Sequence, residues 1–397
     1  MTASHATFER RVVSLLEAEP PQVSIVLGGC GTGRTSLLGH LKVRLETAAQ
    51  YMDVERTATT PERFFRALVS SSPFSAPEVL DRPIGTPREG FDATLAFFDQ
   101  ARTPAGGPAT FLLDEFLELR TFESFPGLRT VLADLTTRLA MSPNRFVLTS
   151  RYIARATRIV PADSARFVVL HLPPLTMDEV RYMLTRLATE GPAQAASSGS
   201  RGVLSDPDSE YLTCAVHALS DGRAVYARAM AETLMAGHEH GAGDPVSALA
   251  SLMAPGGKLH ARCEYSYELR LHRARGYGAL KAILEILSDE EPQTLTEISH
   301  RLGRTPGSTK DYLSWLEDVD LVTVQRKRYS FNDPILRLWV RLHCRPSPPS
   351  DQDLAREVHA FSHARLPHPE PTMVLAGAAH GSSGADDRKP WGIIEID

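Results

Sequence analysis

The chain has 397 residues, a net charge of −5, 42% hydrophobic and 23% charged residues, an ordinary globular composition long enough for more than one cored domain. This balance argues against a protein that coats nucleic acid along its whole surface. Cys30, Cys214, Cys263 and Cys344 are scattered without a C-x-x-C pair, so neither a zinc site nor a disulfide framework is indicated, and no apolar run approaches the ~18 residues of a membrane span.

In chain order, residues 1–20 place Phe8, Val12, Leu15 and Leu16 at helical spacing and predict a short amphipathic helix without a signal-peptide core. Residues 22–38, QVSIVLGGCGTGRTSLL, then read as a β-branched strand, a glycine-rich turn and the start of a helix. That is the layout of a phosphate-binding loop, with Gly28, Gly33 and Thr35 where G-x-x-x-x-G-K-[ST] requires them. Glycines let backbone N–H groups turn inward around a phosphate, and the helix points its positive dipole end at the same anion. Gly28, Gly29, Cys30, Gly31, Thr32, Gly33, Arg34, Thr35 and Ser36 are therefore the candidate nucleotide-binding residues. Thr35 supplies a hydroxyl for Mg²⁺, with Ser36 as a second hydroxyl, and Cys30 is a candidate for oxidation. Arg34 stands where the pattern has lysine, and a planar fork does not replace a point charge conservatively.

Strands are expected at 22–27, 51–56, 109–113, 145–149 and 166–171, with helices starting near Thr35, Pro61, Phe91, Leu128 and Ile153. The proline-rich segment 72–90 and residues 102–108 read as surface loops. This alternation predicts an α/β fold with a parallel sheet and a site at the carboxyl ends of its strands. Residues 109–116, ATFLLDEF, end a buried strand in two acids: Asp114 to hold Mg²⁺ and Glu115 to orient the attacking water. RFVLTSR, residues 145–151, ends a further strand at Arg151, placed to sense a γ-phosphate. Arg155 and Arg158 follow it, on a face where a neighbouring subunit's site could lie.

Residues 174–253 change to helix-only patterns, with a flexible loop at 191–202 and two helices hinged at Asp221-Gly222. Arg223 reads either as a group reaching the phosphates or as a solvated charge at a helix start. Residues 258–345 give three helices in succession and then LVTVQRKRYSFND, a two-stranded hairpin about a charged turn, the outline of a winged helix-turn-helix. Arg301, Arg304, Lys310 and Arg326-Lys327-Arg328 favour DNA contact there. Glu317, Asp318 and Asp320 oppose it, and the region holds 15 lysines and arginines against 12 acids. From 346 onward the chain is rich in proline, histidine and glycine and reads as a disordered tail, in which AREVHAFSHARL forms at most a short helix and the terminal KPWGIIEID frays or docks on a partner. His359, His363, His368 and His380 lack metal-ligand spacing.

The loop Gly28–Thr35, the Asp114-Glu115 pair, the strand end Thr149-Ser150-Arg151 and the closing FNDPILRLWVRLH together resemble the STAND branch of the AAA+ P-loop NTPases, and within it the archaeal-type ATPase family. The resemblance covers most of the chain up to residue 345. It departs at Arg34 and at the hinge Gly222-Arg223-Ala224, where the family has Gly-x-Pro. It implies a P-loop nucleotide-binding domain at 1–173, a helical lid at 174–257 and a winged-helix domain at 258–345, with the tail at 346–397. It also implies a cytoplasmic, ATP- and Mg²⁺-binding ATPase working as a nucleotide-controlled switch, with ATP/ADP and an unidentified protein as partners and no membrane. Two alternatives stay open: an origin-recognition-like or transcriptional DNA-binding ATPase, and a non-hydrolysing, nucleotide-bound scaffold.

Overall fold

The computed structural model describes residues 3–80, 84–160, 165–190, 206–238, 243–272 and 276–366. Helix α1 (Ala3–Glu17) leads into β1 (Val23–Leu27), and the glycine-rich loop connects it to α2 (Arg34–Leu45). Strand β2 (Ala49–Asp53) is followed by α3 (Val54–Thr57), α4 (Pro61–Ser70), α5 (Pro77–Leu80) and α6 (Pro87–Gln100). Then come β3 (Thr110–Asp114), a 3-10 stretch (Phe116–Ser124), α7 (Val131–Met141), β4 (Arg145–Ser150), α8 (Ile153–Ile159) and β5 (Phe167–His171).

The five strands form one parallel sheet in the order β2-β3-β4-β1-β5. Its two faces follow the period of two in each strand. Val26, Leu112 and Val147 pack with Phe8, Val12 and Leu16 of α1 and Leu37, Leu38 and Leu41 of α2. The alternate residues Ile25, Leu27, Phe111, Leu113, Phe146 and Leu148 face the opposite core, where Phe111 stacks on Phe146 with ring centroids 5.5 Å apart. Such burial of β-branched and aromatic side chains on both faces is what a parallel sheet demands.

The expected α/β sheet is present, with local departures. The second strand runs over 49–53 rather than 51–56, because Asp53 accepts a hydrogen bond from the Arg56 amide at 3.1 Å and caps a helical turn that ends the strand. Within 72–90, expected to be a loop, α5 forms and α6 begins at Pro87, where Thr86 and Glu89 make a reciprocal capping box.

Beyond the sheet the described chain is helical: α9 (Met177–Glu190), α10 (Asp206–Ser220), α11 (Ala224–His238), α12 (Pro245–Met253), α13 (Lys258–His272) and α14 (Tyr277–Asp289). A small antiparallel sheet, β6-β8-β7, follows from β6 (Gln293–Thr294), α15 (Leu295–Leu302), α16 (Pro306–Asp318), β7 (Val322–Gln325) and β8 (Arg328–Phe331). Helices α17 (Pro334–His343) and α18 (Asp351–His363) close the described chain. The expected hinge is the two-residue bend Asp221-Gly222, both with positive φ. The expectation of a disordered tail from 346 is corrected in part: Ser350 and Asp353 form a capping box, and α18 buries Leu354 and Val358 against the core. The segment 191–202, His368, His380 and KPWGIIEID lie outside the described residues. Among the described residues no helix is long and apolar enough to cross a membrane.

Candidate functional site

The parallel register brings the three sequence motifs to one edge. Leu27 pairs with Ser150, and Leu113 with Leu148, so the chain leaves β1, β3 and β4 at neighbouring points. The loop after β1 turns through Gly31 (φ 80°) and Gly33 (φ 100°), conformations that glycine adopts without steric cost.

Three successive carbonyls of this loop are held by donors. Gly29 O accepts from the Thr32 hydroxyl at 3.0 Å and from Arg34 Nη1 at 2.6 Å. Cys30 O accepts from Arg223 Nη1 at 2.8 Å, and Gly31 O from the Val225 amide at 2.9 Å. The amides of residues 29–33 donate to no acceptor among the described residues, the arrangement of an anion nest opening at the N-terminus of α2.

Asp114 is buried and gathers three hydroxyls. Thr35 donates to its Oδ2 at 2.7 Å, Tyr51 donates to the same oxygen at 3.1 Å, and Thr149 donates to Oδ1. Burial, and then the Asp114 charge, push the Tyr51 phenol above its ordinary range, so it remains a donor. Hard oxygen donors of this kind suit Mg²⁺ rather than a softer metal. Among the described residues no three His, Cys, Asp or Glu side chains gather as a metal cage. An ion here would take Thr35, Asp114 and phosphate oxygens as its partners.

Glu115 adopts φ 56° and forms a buried relay of charge. Arg34 Nη2 lies 2.6 Å from its Oε1, while the amide and Nε of Arg151 lie 3.1 and 3.2 Å from Oε2. Arg151 also pairs with Glu55, whose other oxygen accepts from the Tyr265 hydroxyl of α13 at 3.0 Å. Burial would raise the Glu115 carboxyl, yet Arg34 and Arg151 hold it below the usual carboxylate range. In this arrangement Glu115 is a weak base, because both its oxygens are already neutralised. Arg151 reaches the site, but its guanidinium is divided between two acids.

The structure also brings in residues the sequence reading left aside. Arg223, read either as a group reaching the phosphates or as a solvated charge, is only 8% exposed. It bridges Cys30 O to Asn332 O (2.6 Å) and lies 3.5 Å from Asp333. Tyr226 packs so closely that a Cβ on Gly31 would stand 3.0 Å from its ring, and its hydroxyl donates to Asp333 at 2.7 Å. Asp333 caps α17 through its other oxygen. The cap was legible as Asp-Pro before an apolar helix; its proximity to the loop was not. Arg155 lies over the Tyr152 ring, 5.4 Å from its centroid, and Arg158 pairs with Asp318 of α16.

No family model and no curated protein matches the sequence. Among solved structures, the Walker-type ATPase PABY2304 of Pyrococcus abyssi superposes with a TM-score of 0.57 at 16% identity, covering 84% of this chain and 94% of that one. Looser similarities reach the Orc1 protein of Aeropyrum pernix in complex with DNA (TM-score 0.45, 19% identity, 85% and 92% covered) and the RuvB Holliday junction branch migration motor of Thermotoga maritima (0.41, 12%, 82% and 91%). The likeness to the Pyrococcus protein is one of fold: this chain has the fold of a Walker-type P-loop ATPase.

Proposed function

We propose that the chain is a Mg²⁺-dependent ATPase of the AAA+ class, on its STAND branch, acting as a nucleotide-controlled regulatory switch. Helices α9–α12 are its lid and residues 258–345 its winged helix. The observation that carries the reading is the convergence of the phosphate loop, the Thr35–Asp114 pair and Glu115 at one sheet edge. In this reading residues 28–36 hold the phosphates, and Thr35 and Asp114 hold Mg²⁺, which neutralises phosphate oxygens when bound.

Arg34 does two jobs in this reading. It bridges Gly29 O and Glu115, and a phosphate between them would compete for the same guanidinium. Transfer of Arg34 from Glu115 to phosphate strips one counter-charge from the carboxylate and raises its basicity towards a water held near the terminal phosphate. Arg151, anchored by Glu55, senses the same change from the other oxygen. Because Arg223, Tyr226 and Asp333 tie the loop to α11 and α17, occupancy of the loop shifts contacts that reach the C-terminal helices, which is how a partner protein would read the state.

The test is single-turnover ATP hydrolysis with Mg²⁺ beside equilibrium ATP binding, on the wild type, Arg34→Lys and Glu115→Gln. Wild-type turnover that Glu115→Gln abolishes with binding intact supports the switch. Binding without turnover, restored by Arg34→Lys, makes the chain a nucleotide-held scaffold instead.

A second reading, contact with duplex DNA, gains from one observation. Two of the acids that opposed it are accounted for within the chain, Asp318 paired at the surface with Arg158 and Asp320 buried, whereas Arg304, Lys310, Arg326 and Lys327 are exposed. Duplex binding that weakens steeply with salt would favour it.

A further inference from the structure

Asp320 lies 291 positions from Gly29 in sequence and against it in space. It sits between α16 and β7 with φ 60°, and its side chain is almost fully buried. Its carbonyl accepts from Arg270 Nη1 at 2.8 Å, and its Oδ1 from Asn332 Nδ2 at 2.6 Å. Its Oδ2 is buried without a hydrogen-bond partner and stands 3.6 Å from the place a Cβ on Gly29 would take. Such an oxygen is normally paired, so its placement calls for a cause.

The surroundings supply one. Burial acts most strongly against the charged form of this carboxyl; Arg270, Arg223 and Arg34 offset part of that, and Asp333 adds to it. Each of the three guanidiniums keeps at least one buried nitrogen without an acceptor: Nε of Arg34, Nε of Arg223, and Nε and Nη2 of Arg270. A carboxyl oxygen set against Gly29 beside Arg223, at the mouth of the loop and within the field of three guanidiniums that each have a nitrogen to spare, stands where a phosphate would stand.

Which phosphate follows from the flanking residues. Arg34 runs from Gly29 to Glu115, the carboxylate assigned above to the attacking water, and on that assignment the Gly29 side of the loop is the side of the terminal phosphate. We propose that Asp320 is a built-in stand-in for the terminal phosphate of a nucleoside triphosphate, so that the seated chain accepts a diphosphate and rejects a triphosphate until Asp320 leaves. This rests on the nucleotide-binding reading above. A triphosphate brings like charge against the carboxylate, and its binding expels Asp320 together with the α16–β7 corner; a diphosphate stops short and leaves the corner docked.

The experiment is titration of the full chain, with Mg²⁺, by ADP and by a non-hydrolysable ATP analogue, in the wild type and in Asp320→Asn. The variant keeps shape and the Asn332 contact but removes the charge. The wild type is expected to bind ADP about tenfold or more tightly than the analogue, and Asp320→Asn to tighten the analogue about tenfold with ADP within about twofold. Equal shifts for both ligands, or none, would overturn the proposal and leave Asp320 a structural tie between Asn332 and Arg270. A wild type that binds the analogue as tightly as ADP overturns it without any variant. Absence of binding by either ligand to either protein overturns the nucleotide reading itself, and this proposal with it.

Discussion

Removing the charge of Glu115 is expected to destabilise the nucleotide-free chain, and the size of the loss can be worked from its partners. Arg34 and Glu115 are 9% and 8% exposed and 2.6 Å apart. Taking one partner from a buried ion pair costs ~3–5 kcal/mol, because the other charge is left uncompensated. Glu115→Gln keeps an acceptor for the Arg151 amide, and Arg151 keeps Glu55, so the lower end, ~3 kcal/mol, applies. Arg34→Met should cost less, ~1–2 kcal/mol, since Glu115 still has Arg151 at 3.2 Å. In the double variant the two losses overlap, giving a coupling of ~1–2 kcal/mol. Urea and thermal melts of the four proteins without nucleotide measure it, and the Glu115→Gln melting point should fall by ~4 °C for a chain of 397 residues. Because the Glu115 carboxyl is held below its ordinary range, the coupling is fully present above that range and is lost only as pH falls below it, through the lowered folded value. Single losses that add within ~0.5 kcal/mol would refute the buried relay.

Three further outcomes follow from the same site. Burial raises the Asp320 carboxyl to about 6 despite Arg270, Arg223 and Arg34, with Asp333 adding to the rise; a folded value above the unfolded one means stability is present at low pH and lost as pH climbs through about 6. The wild type should therefore lose on the order of 2–3 kcal/mol relative to Asp320→Asn between about pH 4 and pH 7, read from parallel melts; no divergence would contradict the buried charge. Arg223→Ala frees the carbonyls of Cys30 and Asn332 and should cost ~2–3 kcal/mol, with amide exchange rising in the loop 28–33 and at the start of α11. Gly31→Ala puts a methyl 3.0 Å from the Tyr226 ring at φ 80°, so it should undo the docking of α11 on the loop, seen as faster proteolysis near Gly222, at a cost of at least ~1–2 kcal/mol.

The sheet and the meeting of three motifs at one of its edges were largely legible in the sequence, because each rests on a short contiguous pattern. VSIVL before a glycine run, FLLDE and FVLTSR each combine a buried strand with the one residue type its end needs, and parallel order then forces those ends together. The second strand was misplaced because a single capping contact, Asp53 to Arg56, decides where extension gives way to a helical turn. Helix α18 was undervalued for a related reason. Its composition is poor in apolar residues, and it is ordered by Ser350–Asp353 capping and by a core surface that other helices provide.

What the sequence determined by itself is the set of groups at the strand ends: a glycine-rich run of loop amides, a hydroxyl and a carboxylate that meet, and a second acid beside them. Local sterics and short-range hydrogen bonding impose those features, and they leave a local signature. Only the tertiary structure decided what faces the loop. Arg223 bridges it to Asn332, Tyr226 closes on Gly31, and Asp320 sets an unpaired oxygen at Gly29. These residues come from elements nearly 200 to 300 positions away, brought there by the packing of apolar helix faces. That packing specifies burial and fit, and nothing in its pattern records which charge will arrive beside which.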